Sequence, residues 1–215
     1  MNRIILSILF LLLIFSCGQK KNSIVENHLE MKIAKFDPKL IDHFPRNQVG
    51  NNQSIVVSEN VRKNNIGVLL YEYDMGERYI DSLINIYKKN SIAQYKNSDS
   101  CLLVINKFET PKTYSDSEDI FIDFEKRKNE VNLNCYEKKL PIPKFLDYRF
   151  INNASETCLN NNFEFYILEA NNKDFFRKFD LVPNSQMPDN WSNGFSKGIA
   201  ISKKDRCVIF WGVIW

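Results

Sequence analysis

The last ten residues, 206–215 (RCVIFWGVIW), constrain the fold more than any other stretch of the chain. Side chains alternate across a strand, so a run that is apolar at both odd and even positions needs cover on both faces. Such a strand belongs in the middle of a sheet, with its terminal Trp215 packed down. It follows residues 197–202 (KGIAIS) after the polar turn 203–205, and the two read as a hairpin.

Further strands are expected at 54–58 (SIVVS), 66–73 (IGVLLYEY), 101–108 (CLLVINKF) and 163–170 (FEFYILEA). Between the second and third, Asp74 and Glu77 fit a capping box, and Tyr79, Ile80, Leu83, Ile84 and Tyr87 form one apolar stripe at helical spacing. Strand, helix and strand together are long enough for a right-handed parallel crossover. Ile120, Phe121, Phe124 and Val131 make a weaker stripe, and 173–179 offers a helical turn or two. Leu140-Pro141-Ile142-Pro143 cannot be regular helix, because each proline removes a donor and restricts the residue before it, so an extended surface segment is expected. The expectation is an α+β fold: a single domain with a mixed sheet of five or six strands, one long amphipathic helix and short helices.

With 44% apolar residues and only seven each of Gly and Pro, the chain lies in the globular range. Its 215 residues suit one domain, expected over 29–215. Twenty-nine Lys and Arg against 26 Asp and Glu is too even a balance for a polyanion binder, so nucleic acid is not an expected partner.

Residues 1–16 are a signal-peptide pattern: Asn2-Arg3, then a mostly apolar run over 4–15. That run makes roughly 18 Å of helix against roughly 30 Å of hydrocarbon, too short for a stable membrane span. It ends in Ile14-Phe15-Ser16-Cys17, which resembles the lipobox of bacterial lipoproteins, with an aliphatic residue at −3, a small one at −1 and the modified cysteine at +1. The resemblance implies a diacylglycerol on Cys17, cleavage before it and usually acylation of the new amino group. It also implies sorting to the outer membrane, since no Asp follows at +2, and a periplasm-facing domain, since Lys20-Lys21 stands where surface-displayed lipoproteins of Bacteroidetes carry an acidic cluster. Residues 17–28 then form a lipidated tether. The block 187–215 also resembles small lipoproteins of Bacteroidetes, which implies no activity and no functional residues.

Motifs that would carry chemistry are sparse. Gly194-Phe195-Ser196-Lys197-Gly198 matches Gly-x-Ser-x-Gly, but a nucleophile elbow needs a helix after the serine and a histidine downstream. Here a strand follows, and the only histidines are His28 and His43. Ser196 is therefore read as structural. Glu72, Asp74, Glu109, Asp147 and Glu156 are the carboxylates that could serve a carboxylate-dependent hydrolase, a reading the missing motifs disfavour, and no catalytic residue is assigned. No cofactor signature occurs. The cysteine spacings lack the close ligand pairs of zinc sites, so no metal is expected.

Besides Cys17, the chain has Cys101, Cys135, Cys158 and Cys207. In an oxidising compartment these suggest one or two disulfides, with Cys135–Cys158 the candidate pair because it brackets the proline-containing segment. Trp191, set among turn-forming residues, is either a lid over the core or a binding anchor. The expected function is that of a membrane-anchored envelope lipoprotein acting as a non-catalytic protein-interaction module. The alternative is a module that binds glycan or envelope fragments. The expected partners are the membrane, through the lipid on Cys17, and an envelope protein or glycan.

Overall fold

The structure, a computed structural model, describes residues 34, 36–46, 52–59, 65–106, 133–146, 149, 155–173, 176, 179–184 and 187–215. The chain divides into two units, Met1–Phe36 and Asp37–Trp215. All elements named below belong to the second. They are α1 (Pro38–Ile41), β1 (Asn52–Glu59), β2 (Ile66–Tyr73), α2 (Glu77–Asn90), β3 (Ala93–Lys96), β4 (Glu164–Asn171), β5 (Phe195–Ser202) and β6 (Cys207–Ile214). The fold is α+β.

The six strands form one sheet in the order β1-β2-β6-β5-β4-β3. β6 sits between β2 and β5 and all eight of its residues are buried, as its double-sided apolar pattern requires. One face carries Leu69, Tyr71, Phe165, Ile167, Ala200, Ile209 and Trp211 in a single cluster. That face is covered by irregular chain, contributing Leu102, Leu103, Val104, Ile105, Ile142, Phe145 and Leu159. On the other face α1 packs against β5 and β6, while α2 contacts β4 as it carries the chain from β2 to the far edge. The buried residues of α2, Ile80 and Leu83, lie outside the first-face cluster.

Trp211 is the anchor of the covered face. Burying an indole of about 200 Å² is worth roughly 5 kcal/mol as an upper value. Its ring N–H donates to Ser196 Oγ (3.2 Å), and that hydroxyl donates to the Pro141 carbonyl (2.7 Å), so no donor is stranded. The ring needs room on the neighbouring strand. A Cβ at Gly198, its register partner, would collide with the indole and with the Tyr166 carbonyl.

Four expectations change. Every pair among the described strands is antiparallel, so the sheet is not mixed as expected: β2 pairs antiparallel with β1 and β6, not in parallel with a strand after α2. Residues 101–106, the described part of the strand expected over 101–108, are not a strand. Cys101 and Asn106 both adopt positive φ (60° and 63°), which ends extended backbone on either side of 102–105. That segment instead exchanges backbone hydrogen bonds with the proline-containing segment, Ile105 N to Ile142 O and Ile142 N to Leu103 O (both 2.9 Å). The proline segment is accordingly buried, with Ile142 0% exposed, where a surface path was expected. The outer sheet position goes to β3, whose four residues pair with β4. Finally, Asp74 does not cap α2. It takes φ 57°, its carbonyl accepts from the Arg206 guanidinium (2.9 Å), and Gly76 is the N-cap. The helical stripe over 120–131 lies outside the described residues, as does part of 173–179.

The Trp211 notch gives a direct test. Gly198→Ala should lower unfolding stability by about 1–3 kcal/mol through overpacking, measured by urea denaturation. Gly76→Ala, where an added Cβ meets nothing within 4 Å, should cost less than about 1 kcal/mol.

Candidate functional site

Two polar centres stand out, one beneath α1 and one beside β3. The first starts with Asp37, whose carboxylate accepts from Lys39 N (2.8 Å) and opens α1 before Pro38. Leu40 then lies against Gly212, where a Cβ would come within 2.7 Å of the Leu40 carbonyl. This close fit brings Asp42 and His43 over β5. Lys197, in mid-strand and only 8% exposed, donates from Nζ to Lys39 O (2.7 Å) and to Asp42 Oδ1 and Oδ2 (3.0 and 3.2 Å). Glu169, its register partner on β4, places Oε2 3.2 Å from the same nitrogen. Three N–H donors against four acceptor contacts leave Nζ no hydrogen to spare. This lysine holds α1 to the sheet.

His43 is held beside it. Its Nε2 donates to the Gly198 carbonyl (3.2 Å), and its ring stands edge-on to Phe44 with centroids 4.9 Å apart. Nδ1 is buried without a hydrogen bond, 3.7 Å from Asp42 Oδ1. Burial, and then the Lys197 charge, push the imidazole pKa down to about 4, against the opposing pull of Asp42 and of backbone groups at Gly198 and Trp211. The ring is neutral at pH 7.

The second centre is a cleft of about 290 Å³ beside the end of β3, bounded by Asn97, Ser98, Asp99, Leu102, Glu156 and Asn161. Asn97 forms its rigid floor. Its amide donates to Leu159 O (2.8 Å), Asn160 O (3.2 Å) and Ser155 Oγ (3.2 Å), and its oxygen accepts from the Thr157 hydroxyl. Asp99 is oriented by Lys96 N, which donates to Oδ2 (2.8 Å). Carboxylates, amides and a hydroxyl around one apolar wall can accept hydrogen bonds from a polyol or an ammonium group.

The residues singled out from sequence fall in different places. Cys17 lies outside the described residues. Cys135 pairs with Cys101, not Cys158: the 3-10 turn Leu133–Tyr136 comes beside the Cys101 turn, with Cα atoms 5.8 Å apart, inside the span a disulfide needs. Cys158 forms no disulfide with a described residue, and Cys207 is buried at the start of β6. Trp191 is a lid, 8% exposed. Its carbonyl accepts from the Trp215 ring N–H (2.6 Å), and its own ring lies 5.9 Å from that of Trp215. Ser196 is fully buried between Pro141 and Trp211. Of the carboxylates, Glu72 is buried in β2 and accepts from Gln53 (3.4 Å), Asp74 sits in the turn before α2, and Glu156 borders the cleft. Glu109 and Asp147 lie outside the described residues. Among the described residues, no three His, Cys, Asp or Glu side chains are placed to hold a metal ion.

Sequence reasoning missed the Lys197–Asp42–Glu169 cluster. The available signal was a lysine inside a strand whose neighbours are otherwise uncharged. Set against models of known protein families, curated proteins and solved structures, the chain matches none of them.

The neutral histidine makes stability pH-dependent. Its folded pKa lies below the ordinary 6.5, so the unfolded chain takes up the proton first. The contribution is complete above pH 6.5 and is lost as pH falls from 6.5 to about 4, by about 3 kcal/mol in all. Urea unfolding midpoints across that range should fall, and His43→Gln, which keeps a neutral donor for Gly198 O, should flatten the slope.

Proposed function

We propose that this is a lipid-anchored protein of the bacterial envelope, held at the outer membrane by Cys17 and facing the periplasm, whose folded part is a non-catalytic protein-interaction module. The observation that supports the compartment is the Cys101–Cys135 disulfide. Such bonds persist where the environment is oxidising and are rare in the bacterial cytosol, which agrees with export by the leader. The interaction reading draws support from how the chemically capable side chains are used. Lys197 is saturated by acceptors, His43 is buried and neutral, and Ser196 is enclosed between Pro141 and Trp211. Each holds the fold together.

The cleft beside β3 supports a second reading, binding of a glycan or another envelope fragment. Its floor is fixed by the Asn97 network, so a small polar ligand would meet groups already in position.

Anchoring is tested by metabolic labelling with radioactive palmitate and membrane fractionation of cells expressing the full chain. Label should enter the wild-type protein, which should sediment with outer membrane. Cys17→Ala should lose at least about 90% of both label and sedimentation, as expected when the acyl chains are removed. Equal labelling of the two chains, or a soluble wild type, would refute lipid anchoring.

A further inference from the structure

The sheet has two unlike edges. At one end β3 is only four residues long and closes on Lys96, two features that discourage strand addition. At the other, β1 runs for eight residues in unbroken antiparallel register with β2, and no described residue pairs with its outer side. It too closes on a charge, Glu59, but over the seven residues before it, 52–58, it has no charge, no proline and no register shift, the devices that keep natural edges apart. Residues 53–57 are half-buried on both faces, so the strand is held extended by its own domain.

We propose that β1 pairs antiparallel with β1 of a second copy, making one sheet continuous across two protomers. Three features favour a second copy over another occupant. Pairing brings no like charges together, since a two-fold axis through Ile55 would set Ser54 across from Val56 and Gln53 across from Val57, all neutral, and Glu59 would fall opposite position 51 and not opposite itself. Two β1 strands match each other in length, whereas β3 would leave half of β1 unpaired. A two-fold pairing also uses the β1 edge, unpaired among the described residues, of both protomers and closes, leaving the short β3 edges outward among the described strands.

Pairing of this extent buries well under the roughly 1,600 Å² of a standard stable interface, so the free dimer is weak. Confinement of copies to a membrane raises their effective concentration. That last point rests on the lipid anchoring proposed above; the pairing geometry does not.

The test is cysteine crosslinking of the full chain in cell envelopes, with single substitutions Ser54→Cys, Ile55→Cys, Val56→Cys and Val57→Cys, and Gln94→Cys on β3 as control. Directly opposed Cβ atoms lie about 5 Å apart and diagonal ones about 7–8 Å. A disulfide-linked dimer should therefore peak at one β1 position, with roughly fivefold less at its neighbours and at Gln94→Cys. No dimer, equal yield at every position including Gln94→Cys, or a crosslink to a different protein would overturn the proposal. In the unsubstituted chain, hydrogen exchange should show alternate β1 amides gaining protection as protein concentration rises; unchanged protection would also overturn it. The two readings fail separately: a chain that takes no palmitate yet crosslinks at β1 refutes anchoring alone, and a labelled chain that does not crosslink refutes pairing alone.

Discussion

A strand that is apolar on both sides has to be covered twice, and the arrangement of this protein follows from that demand on β6. Its two neighbours, β2 and β5, are themselves buried along their full length, so the centre of the sheet is a three-strand slab needing a layer above and below. Irregular chain supplies one layer and α1 with α2 the other. At the contact with each layer a glycine makes the room, Gly198 for the Trp211 ring and Gly212 for Leu40. The chain end is tied in the same way: Trp215 and Gly194 exchange backbone hydrogen bonds (2.9 and 2.8 Å) beneath Trp191.

Covering a sheet with irregular chain carries a cost in polar groups, and the buried hydrogen-bond networks answer it. The Pro141 carbonyl is met by Ser196, and the Leu140 amide by the Tyr95 hydroxyl (2.9 Å). The Leu146 amide is met in turn by the Tyr71 hydroxyl (3.0 Å). The Cys101–Cys135 disulfide closes the same layer covalently. On the opposite side α1 is only four residues long and cannot be stable by itself, so Lys197 and its acceptors fix it. Polar residues that look functional in the sequence are thus drawn into structural duty, which is why the interaction reading rests on the surface and edges of the sheet.

The central strands were legible because their signal is local. β2, β5 and β6 are apolar runs bounded by polar turns, and α2 shows its stripe at helical spacing. The outer parts were not, for identifiable reasons. β3 reads Ala-Gln-Tyr-Lys, too short and mixed to show a period, and it exists because β4 offers it an edge. Residues 102–105 look like a strand in isolation and lose that state to positive-φ residues at both ends. The disulfide and the Lys197 cluster join residues 34 and 155 apart in sequence, contacts that no local pattern encodes. Trp191 was readable only as a choice between lid and anchor, and in the structure its ring is buried against that of Trp215, as a lid requires.

The central claim is that β6 and its two neighbours form the most stable unit, with β1 and α1 held to it by fewer and more exposed contacts. Native-state hydrogen exchange across a urea series tests it most directly. Amides of Val208, Ile209, Phe210 and Trp211 should exchange only through global unfolding, at the full unfolding free energy. Those of α1 should exchange through smaller openings, at least about 2 kcal/mol lower on the same scale. Exchange of the β6 amides through openings as small as those of α1 would contradict a fold organised around a doubly covered central strand.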